Sequence, residues 1–280
     1  MASIKDVAER AGVSIATVSR VMNHSRNVRP ELIEKVMKAV VELDYTTNVI
    51  AQSLRSVKTG QIAVIVPSFS RTFFTGVLEG INAGAAENGY RIMLAETHDD
   101  IAEEIAWVNE SVARNVDGII LASSAYGKDA KTLAYLSSLG SLESKGRWIP
   151  VVSLEYSLSI PNVSSVIVDS EQSAYEAVRY LIRKSGRTKI VHVSLPKEHY
   201  LGQQRCQGYM RALAEAGIPV RKEFILEGDY STYSGYCLTN KILDAKAEFD
   251  GVFCANDQMA VGVILACNER GVRIPEDVCV

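Results

Sequence analysis

Cysteine is absent from the first 205 residues of this 280-residue chain. The five that follow (Cys206, Cys237, Cys254, Cys267, Cys279) have no CxxC spacing. That excludes a disulfide framework and a thiolate zinc site, and cysteines set mostly in apolar runs read as reduced core thiols. The four histidines (His24, His98, His192, His199) are scattered, so no metal site is assigned. No apolar run approaches the roughly 18 residues of a membrane span. The first residues, MASIKDVAERAG, lack the apolar core of a secretory signal, so a cytoplasmic location away from membranes is expected. Catalytic signatures are missing too: there is no GxSxG, no P-loop and no GxGxxG after a strand. No catalytic residue and no cofactor are assigned.

What remains is an ordinary globular composition, 47% apolar and 22% charged with a mean hydropathy of +0.05. The length suggests roughly two domains. Charge is uneven. Residues 1–58 hold nine Lys or Arg against six Asp or Glu, a net +3, whereas the rest holds 21 against 27, a net −6. A polyanionic partner would meet the basic head.

Two patterns divide the chain. In the first, Ile4, Val7, Ala8 and Ala11 fall on one helical face behind a Ser3 cap. Gly12 breaks the helix, and Ser14 caps a second over 15–22 with Val18, Val21 and Met22 inward. Pro30 opens a third, whose expected face is Leu32, Ile33, Val36, Val40 and Leu43. Three short helices with a Gly turn between the first two make a helix-turn-helix. The second pattern starts at Gln61. Apolar runs at 62–67, 90–95, 117–123, 149–155, 163–169, 188–194, 223–228 and 250–256 alternate with helices such as 74–88, 171–184, 205–216 and 257–270. Gly89, Gly186, Gly217 and Gly271 stand where such helices close. Near-continuous apolar strands separated by helices predict parallel sheets covered on both faces. The segment 156–162 joins two strands without a helix, which suggests that the chain crosses there between two α/β lobes. The expected division is therefore a helix-turn-helix head (1–46), a linker (47–59), a first lobe (60–157) and a second lobe (158–280). Residues 274–280, IPEDVCV, read as the onset of another strand, so the sequence is expected to be a fragment that lacks the last part of both lobes.

The second helix, SIATVSRVMN, leaves Ile15, Ala16, Ser19 and Arg20 opposite its buried face. A helix fits the major groove. Small Ala16 permits close approach, Arg20 has the fork for guanine, and Thr17 and Ser19 with the N-terminal N–H groups suit phosphates, with Ser14 counted in the same DNA-binding set. The plainer alternative is a structural cap with a solvated Arg20. Between 48 and 58, NVIAQSLRSVK has no Pro or Gly and contains a stretch, 51–55, too short to hold a helix alone.

These residues carry a resemblance. IKDVAERAGVSIATVSRVMN, VRPELIEKVMKAVVELDYTTN and IAQSLR resemble the N-terminus of the lactose/galactose repressor family of bacterial transcription regulators. IAVIVPSFSRTFF, VDGIILAS, RCQGYMRALAEAGIPV, GVFCANDQMAVGV and GVRIPEDV are similar to that family's sensor domain in order and spacing. The resemblance covers essentially the whole chain. It implies a homodimer on a pseudo-palindromic DNA operator, held to the nucleoid, with a two-lobed periplasmic-binding-protein-like sensor and a small-molecule effector between the lobes. It extends the DNA contacts to Asn23, Asn27 and Arg29 and to a hinge of Ala51, Leu54 and Arg55. Ala51 would let two hinges touch, Leu54 would wedge between base steps in the minor groove, and Arg55 would meet phosphate. Two departures stand out. Arg29 replaces the usual Ser or Thr cap, and Asp44-Tyr45-Thr46-Thr47-Asn48 replaces a Gly-Tyr-x-Pro-Asn run.

Ligands of α/β sheets sit at the carboxyl ends of strands. There the resemblance points to Ser68, Phe73, Phe74, Glu155, Arg205, Tyr230, Asn256 and Asp257 as effector contacts. Of the two phenylalanines, Phe74 is the candidate to be core instead, and the alternative role for Asp257 is that of a helix cap alone. Glu155 stands where many members carry Asp, and Tyr156 where many carry Arg. Gly76, Gly80 and Gly84 make a smooth helix face for packing or for a dimer contact. An enzyme built on the α/β body would leave residues 1–58 unexplained, and a transport receptor would not carry a helix-turn-helix.

Overall fold

A computed structural model describes residues 2–22, 28–45, 58–126 and 130–280. The chain forms two compact units, Met1–Thr59 and Gly60–Val280. No described helix is long and apolar enough to cross a membrane.

The first unit is built on α1 (Ile4–Ala11), α2 (Ile15–Met22) and α3 (Pro30–Glu42). A reciprocal capping box starts α1: the Ser3 hydroxyl accepts from the Asp6 N–H, and the Asp6 carboxylate accepts from the Ser3 N–H at 2.7 Å. Gly12, at φ 65°, ends the helix in the left-handed region that a side chain resists, which turns the chain into α2. Val7, Ala8, Val18, Val21, Val36 and Ala39 form the core, with Ile4, Ala11, Met22, Val40 and Leu43 packed around it. The expectation for α3 needs one correction. Ala39 is buried and Ile33 is 40% exposed. Ile33 belongs with Met37 and Val41 to an i, i+4, i+8 stripe that faces outward, one step around the helix from Val36 and Val40. Pro30 sits in the first turn and Arg29 provides no side-chain cap, as its sequence position implied.

The second unit contains two parallel sheets. The first has the order β2-β1-β3-β6-β7, from Gln61–Val66 (β1), Arg91–Glu96 (β2), Gly118–Leu121 (β3), Val151–Glu155 (β6) and Val163–Ile167 (β7). A small antiparallel hairpin, Glu143–Ser144 (β4) with Arg147–Trp148 (β5), precedes β6. Helices α4 (Thr72–Glu87), α5 (Ile101–Ala113) and α6 (Ala130–Ser138) accompany this sheet. Its two faces read off β1 with period two. Ala63 and Ile65 join one core with Ile119, Leu121 and Val151, while Val64 and Val66 join another with Phe74 and Leu154.

The second sheet has the order β10-β8-β9, from Ile190–Ser194 (β8), Ile225–Glu227 (β9) and Gly251–Cys254 (β10). Around it lie α7 (Ser170–Arg183), α8 (Tyr200–Glu215), α9 (Thr232–Asp244) and α10 (Asp257–Glu269). Backbone contact fixes two of these helices: a Cβ on Gly262 would lie 2.0 Å from the Thr232 carbonyl oxygen, and one on Gly235 2.2 Å from that of Met259. Cys279 makes an isolated parallel bridge to Gly251, whereas residues 274–277, expected at the onset of a strand, form a turn. Of the cysteines, Cys267 and Cys279 are buried, but Cys237 is exposed on α9 rather than in a core.

One strand lies elsewhere than the sequence suggested. Residues 163–167 were expected in the second lobe, after a crossing at 156–162. They pair in parallel with β6, Val151 opposite Val163 through Glu155 opposite Ile167. The division at 157/158 therefore falls inside the first sheet, and the chain leaves that sheet only after Ile167. The absence of a helix between two strands signals a short return as readily as a crossing, so the pattern alone could not choose.

Candidate functional site

In the first unit, α2 presents Ser14, Ile15, Ala16 and Arg20 to solvent, with Thr17 and Ser19 half-buried. Ile15 is 39% exposed. The Ser14 hydroxyl accepts the Thr17 N–H at 3.1 Å and lies 2.9 Å from the Thr17 hydroxyl, so it caps α2 and orients its first turn. Arg20 forms no ion pair among the described residues, and Arg29 is likewise exposed. The face is therefore a small apolar step, three hydroxyls and one exposed cation on a short helix. Asn23, Asn27, Ala51, Leu54 and Arg55 lie outside the described residues.

In the second unit, a cavity of about 470 Å³ opens between the two sheets. The first sheet supplies Arg71 to Phe74, which follow β1, and Glu155 at the end of β6. The second supplies Arg205 from α8, Tyr230 after β9, and the turn from β10 into α10, Cys254 to Gln258. All come from strand ends or the helix starts behind them, where parallel sheets leave a crevice. Of the expected effector contacts, Phe73, Phe74, Glu155, Arg205, Tyr230, Asn256 and Asp257 share this lining, and Ser68 does not. The Ser68 hydroxyl turns to Ser70, 2.9 Å from its Oγ.

The two phenylalanines divide as the sequence allowed. Phe74 is 1% exposed and packs on Val64, Val66 and Leu154, whereas Phe73 is 50% exposed and offers its ring to the opening. Asp257 is not the helix cap. That place belongs to Asn256, whose Oδ1 accepts the Met259 N–H at 3.0 Å while its Nδ2 donates to the Tyr230 carbonyl at 2.8 Å. Asn256 thus has its amide tied up in holding the turn, and Asp257 is left exposed at the rim.

Glu155 and Tyr230 have φ of 70° and 74°, a region costly for residues with side chains, roughly 1–2 kcal/mol each. Both strained residues line the cavity, so the fold holds their side chains in place against a backbone preference. Burial raises the Glu155 carboxyl above its ordinary range, while the charges of Arg205 and Arg71 pull it back. Arg205 mirrors this: burial lowers its guanidinium, and Glu155 is the foremost charge restoring it. Arg205 also donates to the Ala255 carbonyl.

The sequence reading missed six participants: Arg71, Asp99, His199, Gln258, Tyr126 and Gln203. Arg71 pairs with Asp99, and its guanidinium lies 3.7 Å over the Tyr230 ring. The phenol of Tyr230, pushed up to about 12 chiefly by burial, is 2.8 Å from His199 Nδ1. Gln258 Nε2 reaches across to the Ser70 carbonyl at 3.3 Å, and the Tyr126 hydroxyl donates to Gln203 Oε1 at 3.1 Å, so two bonds join the lobes at the cleft. Arg71 and Asp99 both follow strand ends of the first sheet, a position that would have marked them; nothing local marks His199 or Gln258.

Residues 3–48 match the family described as bacterial regulatory proteins, lacI family, and residues 59–280 match periplasmic binding proteins and the sugar binding domain of the LacI family. The chain is 34% identical over 281 residues to the HTH-type transcriptional repressor PurR of Erwinia tasmaniensis, covering all of this chain and 80% of that protein. It is 36% identical over 276 residues to catabolite control protein A of Priestia megaterium, covering 98% and 80%. Among solved structures, the lac repressor dimer bound to operator and the anti-inducer ONPF is similar at a TM-score of 0.83 and 28% identity, over 99% of this chain and 80% of that one. A CelR–cellobiose complex is similar at 0.66 and 29% identity, over 100% and 82%.

Proposed function

The chain belongs to the LacI family of bacterial regulatory proteins, and from that premise we propose that its interlobe cleft receives the metabolite that sets its grip on DNA. The protein is a DNA-binding transcriptional regulator of the repressor kind, controlled by a small effector and acting as a dimer on operator DNA. Two of its relatives, PurR and the lac repressor, are repressors by name, and repressors are not enzymes. We place it in the cytoplasm, on the nucleoid.

The observation that carries the cleft assignment is the opposition of Glu155 and Arg205 in a 470 Å³ cavity between strand ends. Hydroxyl groups would accept from the guanidinium and donate to the carboxylate, while Phe73 and Tyr230 would pack on a ring. In the head, α2 would enter the major groove with Arg20 toward base edges, while Ser14, Thr17, Ser19 and Arg29 meet backbone phosphate. Asn23 and Asn27 would extend those contacts, and Ala51, Leu54 and Arg55 would form the minor-groove hinge. The open space over Gly76, Gly80 and Gly84 suits a partner protomer. Effector binding would shift the two lobes about the Gln258 and Tyr126 bonds, and DNA affinity would change by the same coupling free energy that changes effector affinity.

Fluorescence anisotropy with a palindromic duplex selected from a random pool tests this. Specific binding that weakens steeply with salt is expected, together with a metabolite response that Arg205→Ala abolishes in folded protein. No preference for any palindrome over random duplex would refute the DNA reading, and an unchanged response in Arg205→Ala would move the effector out of the cleft.

A further inference from the structure

The two lobes of the second unit also touch beside the effector cavity. At the start of α8, in the second lobe, the ring of Tyr200 packs on two rings of the first. It lies 5.1 Å from the ring of Tyr126, which follows β3, and 4.7 Å from that of Tyr156, which follows β6. The Tyr156 side of this seat is fixed, because its hydroxyl lies 2.9 Å from the Ser123 carbonyl and 3.2 Å from that of Ala125. The Tyr126 hydroxyl donates to Gln203, one turn further along α8. His199, immediately before Tyr200, lies 2.8 Å from the Tyr230 hydroxyl, and Arg71 of the first lobe covers the Tyr230 ring at 3.7 Å. Tyr126, Tyr156 and Tyr200 border a separate hollow of about 30 Å³ and are absent from the described lining of the larger cavity. The chain crosses between the lobes only after β7, at the edge of the first sheet, so chain connectivity does not impose this contact.

We propose that Tyr200 is a clasp: its seat on Tyr126 and Tyr156 holds the two lobes together without a ligand, and so sets the operator affinity of the empty protein. The second half of this proposal rests on the coupling of lobe position to DNA affinity stated above. Tilted aromatic pairs attract beyond the area that they bury, and a tyrosine has few rotatable bonds to immobilise. Two ring pairs of ordinary strength correspond to roughly a tenfold shift in the balance between parted and joined lobes. The clasp and the cavity move together. Glu155 immediately precedes Tyr156, and Arg205 stands on the same helix as Tyr200. Parting the clasp therefore draws Glu155 away from Arg205, and a ligand that bridges those two pulls on the same gap. A sensor held shut in advance presents its ligand with the competent shape and removes the penalty that a mostly open one would impose. Affinity for the effector is then set in part by three rings outside the cavity that holds it.

The test needs no ligand. Ruthenium-sensitised photo-oxidation of the wild-type full chain couples tyrosine rings that touch in solution. Peptide mass analysis is expected to find Tyr200 joined to Tyr126 or Tyr156 within one chain. Small-angle scattering of the ligand-free protein should then show a larger radius of gyration for Tyr200→Ala than for the wild type. Tyr200→Phe, which keeps the ring, should match the wild type. Tyr126→Ala, at a position 42% exposed, serves as a second variant if Tyr200→Ala does not fold. On the palindromic duplex, operator affinity should move by roughly twofold or more in the alanine variant and stay put in Tyr200→Phe. A side chain that only stabilised its own lobe would change the unfolding midpoint and neither of these readings. No coupling across the lobes, an unchanged radius in the folded alanine variant, or an operator affinity equal to that of Tyr200→Phe would each overturn the proposal. Failure of the DNA reading looks different: the wild-type chain itself would prefer no duplex.

Discussion

His192 should make the sensor unit lose stability on mild acidification. Its ring is fully buried on β8, stacked 4.9 Å from the ring of Phe253 and 5.0 Å from that of Tyr209. Nδ1 lies 3.0 Å from the Phe253 carbonyl, and Nε2 has no hydrogen-bond partner among the described residues. Burial, with a smaller push from the Arg205 charge, lowers its pKa to about 4 against an unfolded value of 6.5. Between those values the unfolded chain holds a proton that the folded chain refuses, so stability falls as pH drops through this window. From pH 7 to pH 5 the loss is about 2 kcal/mol, approaching about 3 kcal/mol below pH 4. Glu104 and Glu155 work in the opposite direction, because burial raises both and protonation then favours the folded state. The comparison must therefore be between the wild-type chain and His192→Phe, which keeps a ring in the stack and cannot titrate. Urea unfolding at pH 7, 6 and 5 should show the wild type losing about 2 kcal/mol more than the variant over that range. Parallel pH dependence in the two proteins would refute the reasoning, and would mean that the buried ring is reached by water or finds an acceptor on acidification.

Other substitutions probe other parts of the molecule. Gly262→Ala forces a Cβ against the Thr232 carbonyl and the Tyr236 amide, both backbone atoms, so α9 and α10 must separate. Urea denaturation should show a loss of about 1–3 kcal/mol. The Glu104 carboxylate accepts from the Ser123 hydroxyl at 2.6 Å, the Ser124 N–H at 2.7 Å and the Tyr135 hydroxyl at 2.8 Å. Glu104→Gln places an amide donor against one of these donors, and the same assay should register about 1–3 kcal/mol; an unchanged midpoint would mean that the carboxyl is already protonated. Arg20→Ala should cost about 1–3 kcal/mol on a specific duplex and relax the sequence preference at one base pair per half-site. An equal loss on random duplex would assign Arg20 to phosphate.

Much of this was legible along the chain because it depends on neighbours in sequence. The Ser3 cap, the Gly12 turn, the Val18 and Val21 face, and the apolar runs that became β1, β3, β6, β8 and β10 are set by periods of 3.6 and 2 and by capping chemistry. So are the strand ends at Glu155 and before Tyr230, and the helices that bear Phe73 and Arg205. Only the tertiary structure decided which sheet took residues 163–167, since strand pairing is a long-range choice that a strand's own apolar pattern does not encode. It also decided that Phe74 turns inward and Phe73 outward, that Asn256 and not Asp257 caps α10, and that Ile33 faces away from the head's core. Above all, it settled the charges. Arg71 and Asp99 lie 28 residues apart in sequence, and Glu155 and Arg205 lie farther apart still. Arg71 meets Asp99 because β1 and β2 are neighbours in one sheet, whereas Glu155 and Arg205 line one cavity only because two sheets face each other there.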